Sequence, residues 1–249
     1  MGKSLHYFAF TFLPNIGLVI ALVLLIRSGL APLAFALLVL SKWQILLGGH
    51  KIWLRSIRDN ACDLVVALST IIGLILFGND PTIQVVIAVF YALWLVVLKP
   101  QKGTAWVALQ AGVCQLVGLS VVYLLGRSFV GSEIAVVFAA WLVAMISADH
   151  LLNPHKDPSS GLITAVWGLI VAELSWILWR WLVLYSLFDA RVLVPQAALV
   201  ITVLGYGFGA MYLDHAAKRL RKRRLAEYLL ISFALLAIIV IGTNWNARI

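Results

Sequence analysis

The sequence predicts an all-α protein, a polytopic transmembrane bundle of about nine helices. Hydrophobic residues make up 63% of the 249 positions and charged residues only 12%. A soluble domain of this length could not bury so much apolar surface. Windows of about 20 apolar residues, the length that crosses a bilayer, recur along the chain. The formal net charge of +9 is typical of loops held against anionic headgroups.

The predicted spans are separated by charged or turn-forming links. Pro14 and Gly17 fall inside the first span, where neighbouring helices can satisfy the freed backbone groups. The second span is short, so Arg27 and Lys42 must extend from its ends towards the headgroups. No link is long enough for a soluble domain, which predicts one integral-membrane domain over residues 1–249. The spans cover residues 7–26, 30–43, 61–77, 82–98, 104–125, 134–152, 161–187, 192–213 and 228–245.

The segment of about 44–60 is not predicted to cross the membrane. Lys51, Arg55 and Arg58 follow a spacing of i, i+4 and i+7, which places them on one face of a helix beside apolar residues such as Ile57. This pattern predicts an amphipathic helix lying in the headgroup plane. An ordinary basic loop fits the same pattern.

Lysine and arginine residues concentrate in alternate links, and the positive-inside rule then places the N-terminus in the cytoplasm and the C-terminus outside. The densest group lies in the predicted cytoplasmic link 214–227. It lacks interleaved aromatic residues, so we expect contact with anionic lipid headgroups and no nucleic-acid binding. Its members are Lys218, Arg219, Arg221, Lys222, Arg223 and Arg224.

Glu173 is the clearest ionisable residue inside a predicted span. It lies near the middle of span 161–187, and Arg180 follows two helical turns later. Such residues commonly mark ion or proton pathways, which makes Glu173 and Arg180 transport candidates. A structural Glu173, either neutral or bonded to a neighbouring helix, is the alternative.

Two Asp-His pairs end spans on the predicted cytoplasmic side. They are Asp149-His150 and Asp214-His215, and the loop after the first pair adds His155 and Asp157. Carboxylates and imidazoles together could bind a divalent metal, relay protons or act as acid and base on a lipid phosphate. Adjacent residues on a helix point about 100° apart, however, so neither pair simply chelates one ion unless the helix ends there. The alternative is that polar residues simply end these spans at the headgroups, and no metal site is predicted.

Other polar or small residues are predicted to have structural roles. Asp59 and Asp63 stand at the start of span 61–77, where acidic side chains favour a helix N-terminus. Gln110 and Gln115 suit close helix contacts, and the glycines of 205–209 follow a G-x-x-x-G packing pattern.

Two stretches carry a resemblance to known sequences: Lys99-Pro-Gln-Lys-Gly-Thr-Ala-Trp-Val-Ala-Leu-Gln110 and Gly205-Tyr-Gly-Phe-Gly-Ala-Met-Tyr-Leu-Asp-His215. The chain resembles a group of uncharacterised polytopic membrane proteins of small-genome candidate-phylum bacteria. The resemblance implies a multi-pass protein of the bacterial cytoplasmic membrane and brings no established activity or site assignment.

Three functions remain open from the sequence. The first is a transporter or channel for a proton, ion or small solute. The second is a membrane enzyme or lipid-handling protein at the cytoplasmic headgroup layer, and the third is a structural or assembly subunit with an unknown membrane partner or a second copy. The chain lacks P-loop, zincin and nucleophile-elbow motifs, so we expect no cofactor and lean against an enzyme.

Overall fold

The computed structural model describes residues 12–43, 50–128, 132–153, 158–187 and 192–242, with only the backbone for 50–54, 186–187 and 192. Nearly all of this is helix. The helices are α1 Leu13–Arg27, α2 Ala31–Ser41, α3 His50–Leu76, α4 Pro81–Leu93, α5 Thr104–Ser128, α6 Glu133–Leu152, α7 Ser160–Arg180, α8 Gln196–Ala216 and α9 Lys222–Ile241; a π-helical turn, Trp94–Leu98, continues α4, and strands β1 Leu184–Leu187 and β2 Val192–Pro195 separate α7 from α8.

The predicted all-helical architecture is confirmed in its main outline. Among the described residues, seven helices are long and apolar enough to cross a membrane, namely α3 from Arg55 onward, α4 together with its π-helical turn, and each of α5 to α9. The apolar helices α1 and α2 have 15 and 11 residues, which corresponds to about 22 and 16 Å and is shorter than the hydrocarbon core. The full count of about nine spans and the orientation stay predictions.

The helix ends follow from local chemistry. Asp80 caps α4 by accepting the backbone N–H groups of Thr82 at 2.9 Å and Ile83 at 3.2 Å, and Pro81 occupies the first turn, where its missing N–H costs nothing. Ser132 caps α6 by accepting from the Ala135 N–H at 3.1 Å. These caps place turns where the sequence predicts breaks between spans.

The structure differs from the sequence prediction in the seventh span. The helix α7 ends at Arg180. The last four residues of the predicted span are strand β1, which pairs antiparallel with β2 from Leu184 opposite Pro195 to Leu187 opposite Val192. The short apolar run 181–187 has the hydropathy of a helix end, so hydropathy alone does not reveal the hairpin. The Tyr185 hydroxyl in β1 donates to the Ile239 carbonyl in the last turn of α9, which ties the hairpin to the end of that helix.

The helices form two compact units, Met1–Trp106 and Val107–Ile249. In the first unit α1 packs on α2, α3 and α4, and α3 packs on α4. At one end, the Arg27 guanidinium donates to Gln84 Oε1 at 2.7 Å, and the Gln84 amide donates to the Leu74 carbonyl at 3.1 Å. These bonds join the end of α1 to the start of α4.

In the second unit, the predicted glycine packing of α8 has two sides. A Cβ on Gly205 would lie 2.8 Å from the Gln115 amide of α5, and one on Gly209 would lie 2.6 Å from Leu151 of α6. Gly207 faces the other way and contacts Ser232 of α9. Alternate glycines therefore let α8 pass closely between α9 and the helices on its opposite side.

Candidate functional site

A buried carboxylate with two lysines lies in the first unit. Asp63 Oδ2 accepts from the Lys42 ammonium and, at 2.8 Å, from the Lys99 ammonium, while Asp63 Oδ1 accepts from the Trp94 indole N–H at 3.0 Å. We call Lys42, Asp63, Trp94 and Lys99 the Asp63 cluster. The side chains of Lys42 and Asp63 are 8% and 7% exposed, whereas that of Lys99 is 38% exposed. The cluster is therefore largely buried, and Lys99 is its most accessible charged member.

Three separate elements deliver these groups. Lys42 follows the last residue of α2, and Asp63 lies about 12 Å along α3 from Arg55, where the spanning part begins. Trp94 and Lys99 bound the π-helical turn, in which the Lys99 N–H bonds the Trp94 carbonyl five residues earlier at 2.8 Å. A π turn inserts an extra residue into the helix and is frequent at functional sites.

The cluster carries unequal charge. Two ammonium groups share one carboxylate, so its formal charge is +1 when all three groups are ionised. Charged groups out of water are costly unless paired, so the pairing through Asp63 is what allows two lysines at this position.

A buried tyrosine hydroxyl completes the surroundings. Tyr91 is 1% exposed, and its hydroxyl has no hydrogen-bond partner within the described residues. Tyr91 stands one turn before Trp94, whose indole N–H bonds Asp63, and lies on the same side of the helix. The cluster therefore has an unused buried donor beside it.

The second unit contains neutral polar contacts along α5. The Gln115 amide donates to the Ile201 carbonyl of α8 at 3.0 Å, and its oxygen accepts from Ser147 of α6 at 2.9 Å. Further along α5, the Tyr123 hydroxyl donates to Ser175 of α7 at 2.8 Å. The bonds of Gln115 are of the kind predicted for α5, whereas that of Tyr123 was not predicted. Together they join α5 to three other helices.

Glu173 lies on the exposed side of α7. Its neighbours along that side are large exposed apolar residues, including Leu169, Ile170 and Ile177. Within the described parts of the chain, no hydrogen bond or ion pair reaches its carboxylate. Arg180 pairs instead with Glu133 at 3.4 Å and stacks over the Trp176 ring at 5.1 Å. The two transport candidates therefore have separate surroundings.

The Asp-His pairs also have separate partners. His150 lies 3.0 Å from Gln110 Oε1, with Asp149 beside it. Asp214 accepts from Arg224 and from the Tyr228 hydroxyl, each at 2.9 Å, while His215 is exposed. His155 and Asp157 lie outside the described residues. Over the described ranges, no group of three His, Cys, Asp or Glu residues could hold a metal ion.

The predicted headgroup residues lie on two segments. Arg55 and Arg58 are exposed near the start of α3, and Arg55 lies 4.0 Å from Asp59, whereas the side chain of Lys51 lies outside the described ones. At the start of α9, Arg223 pairs with Glu227 at 3.0 Å and Arg224 with Asp214 of α8. The other basic residues predicted to contact headgroups there are also exposed, namely Lys218, Arg219, Arg221 and Lys222.

Sequence reasoning missed the Asp63 cluster because it divided α3 in two. The predicted headgroup helix 44–60 and span 61–77 suggested that Asp63 stands at a helix N-terminus. From His50 to Leu76 the structure has one continuous helix, so Asp63 lies in its interior and needs a partner other than free N–H groups. The sequence contained one signal for the cluster, because the Asp63 carboxylate lies inside the predicted span 61–77.

Comparison with known proteins leaves the cluster to be interpreted from its own chemistry. No family model matches the chain, and no curated protein or solved structure is similar to it.

Proposed function

We propose that the chain is a multi-pass membrane protein that moves a small ion or solute across the bilayer, and that the Asp63 cluster is the site on its pathway. One observation carries this proposal: a spanning helix holds a buried carboxylate that is bonded to two lysines. Ionisable groups in spanning segments are expensive and are most often kept for transport or proton transfer.

A purely structural cluster is the competing explanation. Buried ion pairs give weak net stabilisation, because desolvation can exceed the Coulombic gain, and apolar residues often replace them without loss. Neutral hydrogen bonds such as those of Gln115 can join helices at lower cost. The use of three charged groups where neutral ones would suffice therefore supports a role in handling ions.

The positive-inside rule supports a location of the cluster on the cytoplasmic side. Lys42 and Lys99 belong to links assigned to the cytoplasmic side, so the Asp63 cluster would open towards the cytoplasm of a bacterial cell. Anionic headgroups would contact the exposed basic residues of α3 and of the link between α8 and α9. Glu173, on the exposed side of α7, lies outside this proposed pathway.

Flux measurements in liposomes test the proposal. Wild-type protein should release or take up at least one ion from a panel of H⁺, K⁺, Cl⁻ and phosphate, and Asp63→Asn should abolish that flux. Glu173→Gln is the matched control, because it neutralises a carboxylate that has no hydrogen-bonded partner among the described residues, and it should retain wild-type flux. Equal flux through wild type and Asp63→Asn would contradict the assignment.

A second variant distinguishes loss of flux caused by misfolding from loss of flux caused by removal of the site. The triple change Lys42→Met, Asp63→Leu and Lys99→Met removes all three charges together, and such replacements commonly preserve or raise stability. We expect this variant to purify and unfold like the wild type while conducting nothing. A triple variant that folds and still conducts would identify the cluster as structural.

A further inference from the structure

The hydrogen-bond inventory of the Asp63 cluster is unbalanced. Each ammonium group has three donors, and a carboxylate has acceptors only. In the described part of the chain, Lys42 and Lys99 each use one donor on Asp63, and Trp94 uses its single donor there too. Four ammonium donors therefore remain, while Asp63 already accepts three bonds.

Tyr91 adds a further hydrogen-bond donor to the four spare ammonium donors. Its hydroxyl is buried without a partner in the described chain, although buried polar groups are nearly always hydrogen-bonded. Thr164 and Thr202 also have buried hydroxyls without partners, but neither belongs to a charged cluster. Only the Tyr91 hydroxyl combines burial with a neighbouring group of net positive charge within the described residues.

These spare donors favour a ligand that accepts hydrogen bonds and carries negative charge. A metal cation would compete with two ammonium groups for Asp63, whose oxygens are already bonded, and hard cations need several oxygen ligands. An anion would accept the spare ammonium hydrogens and the Tyr91 hydroxyl, and it would neutralise the cluster.

We propose that the Asp63 cluster and Tyr91 bind a small free anion, of the size of chloride or phosphate, and that this anion is the class of solute transported. That the bound anion is also the transported solute rests on the proposed transport function. Lys99 is the half-exposed member of the cluster and marks the side from which the anion enters. The burial of Lys42 and Asp63 restricts the site to small ions.

A lipid phosphate has the same recognition chemistry, so the experiment has two arms. In the first, full-length protein in nanodiscs of zwitterionic lipid is titrated with sodium phosphate or sodium chloride against sodium gluconate at equal ionic strength. In the second, phosphatidylglycerol replaces part of the lipid and gluconate is the only added anion. The midpoint of thermal unfolding is measured in both.

We expect phosphate or chloride to raise the midpoint over gluconate in the first arm, because a ligand that binds the folded state stabilises it. Tyr91→Phe should weaken the apparent affinity for that anion by about tenfold or more, the effect of losing a hydrogen bond to a charged group. Tyr123→Phe is the matched control. It removes a buried hydroxyl that has a partner, Ser175, and should leave the apparent anion affinity unchanged.

The outcomes separate the two proposals. A wild type without an anion-dependent shift, or a Tyr91→Phe variant with wild-type affinity, overturns the anion site. Stabilisation by phosphatidylglycerol alone overturns a free anion in favour of a headgroup. An anion shift without flux in liposomes keeps the site and refutes transport, whereas flux of a cation or proton without an anion shift keeps transport and refutes the anion.

Discussion

The two units of the molecule satisfy their buried polar groups in different ways. In the first, Asp63 joins three elements through charged groups from Lys42 and Lys99. In the second, α5 is joined to its neighbours by the neutral side chains of Gln115 and Tyr123. Neutral contacts are enough to hold helices together in lipid. The charged groups of the first unit therefore carry a desolvation cost that helix packing alone does not require.

The comparison also separates position from chemistry. Glu173 is the carboxylate nearest the middle of its span, yet it lies exposed on α7. Asp63 is the carboxylate with buried, charged partners. Depth along a helix therefore identifies a candidate, and the environment across the helix decides whether that candidate can form a site.

The largest expected effect is that of Asp63→Asn on stability. Removing the carboxylate leaves two lysines in a buried setting without a counter-charge, which should lower the free energy of unfolding by about 3–5 kcal/mol. Reversible unfolding in mixed micelles measures this. The triple apolar variant of the cluster should lose much less free energy of unfolding. A loss as large as that of Asp63→Asn would mean that an unpaired buried charge is not the cause of the destabilisation.

Gln115→Leu tests the neutral unit and should cost about 1–2 kcal/mol, since the side chain bonds both Ser147 and the Ile201 carbonyl. A double-mutant cycle with Ser147→Ala should give a coupling of about 0.6 kcal/mol, the usual value for such bonds in membranes. A coupling above about 3 kcal/mol would remove the contrast between neutral and charged units.

Two tyrosines give a smaller, opposite pair of effects. Tyr123→Phe loses a bond to Ser175 and should cost about 0.6 kcal/mol of unfolding free energy. Tyr91→Phe, measured with gluconate as the only anion, should cost nothing or stabilise, because its hydroxyl lacks a partner in the described chain. Destabilisation by Tyr91→Phe under those conditions would reveal a bond inside the protein.

The smallest effect is expected at Glu133 and Arg180. Their pair is 3.4 Å long with side chains 34% and 61% exposed, and exposed pairs contribute about 0–1 kcal/mol. Arg180→Gln should therefore shift the unfolding midpoint slightly and leave flux unchanged. A loss of flux in Arg180→Gln would restore the pathway along α7 that the sequence suggests.

Hydropathy located the apolar helices because length and composition decide which segments can cross a bilayer. It did not separate the hairpin from α7, since strand and helix ends look alike in a short apolar run. It also did not reveal the Asp63 cluster, because Lys42 and Lys99 lie 21 and 36 residues from Asp63 along the chain. Local spacing cannot show which distant lysine a carboxylate meets.

The unbroken course of α3 has a mechanical consequence. All 27 residues of α3 extend for about 40 Å. The part that is apolar enough to cross a membrane begins at Arg55, and its 22 residues extend for about 33 Å, slightly longer than a hydrocarbon core of about 30 Å. A helix without a hinge accommodates such an excess by tilting or by local thickening of the bilayer. Membrane thickness would therefore set the tilt of α3 and, with it, the depth at which Asp63 holds its lysines.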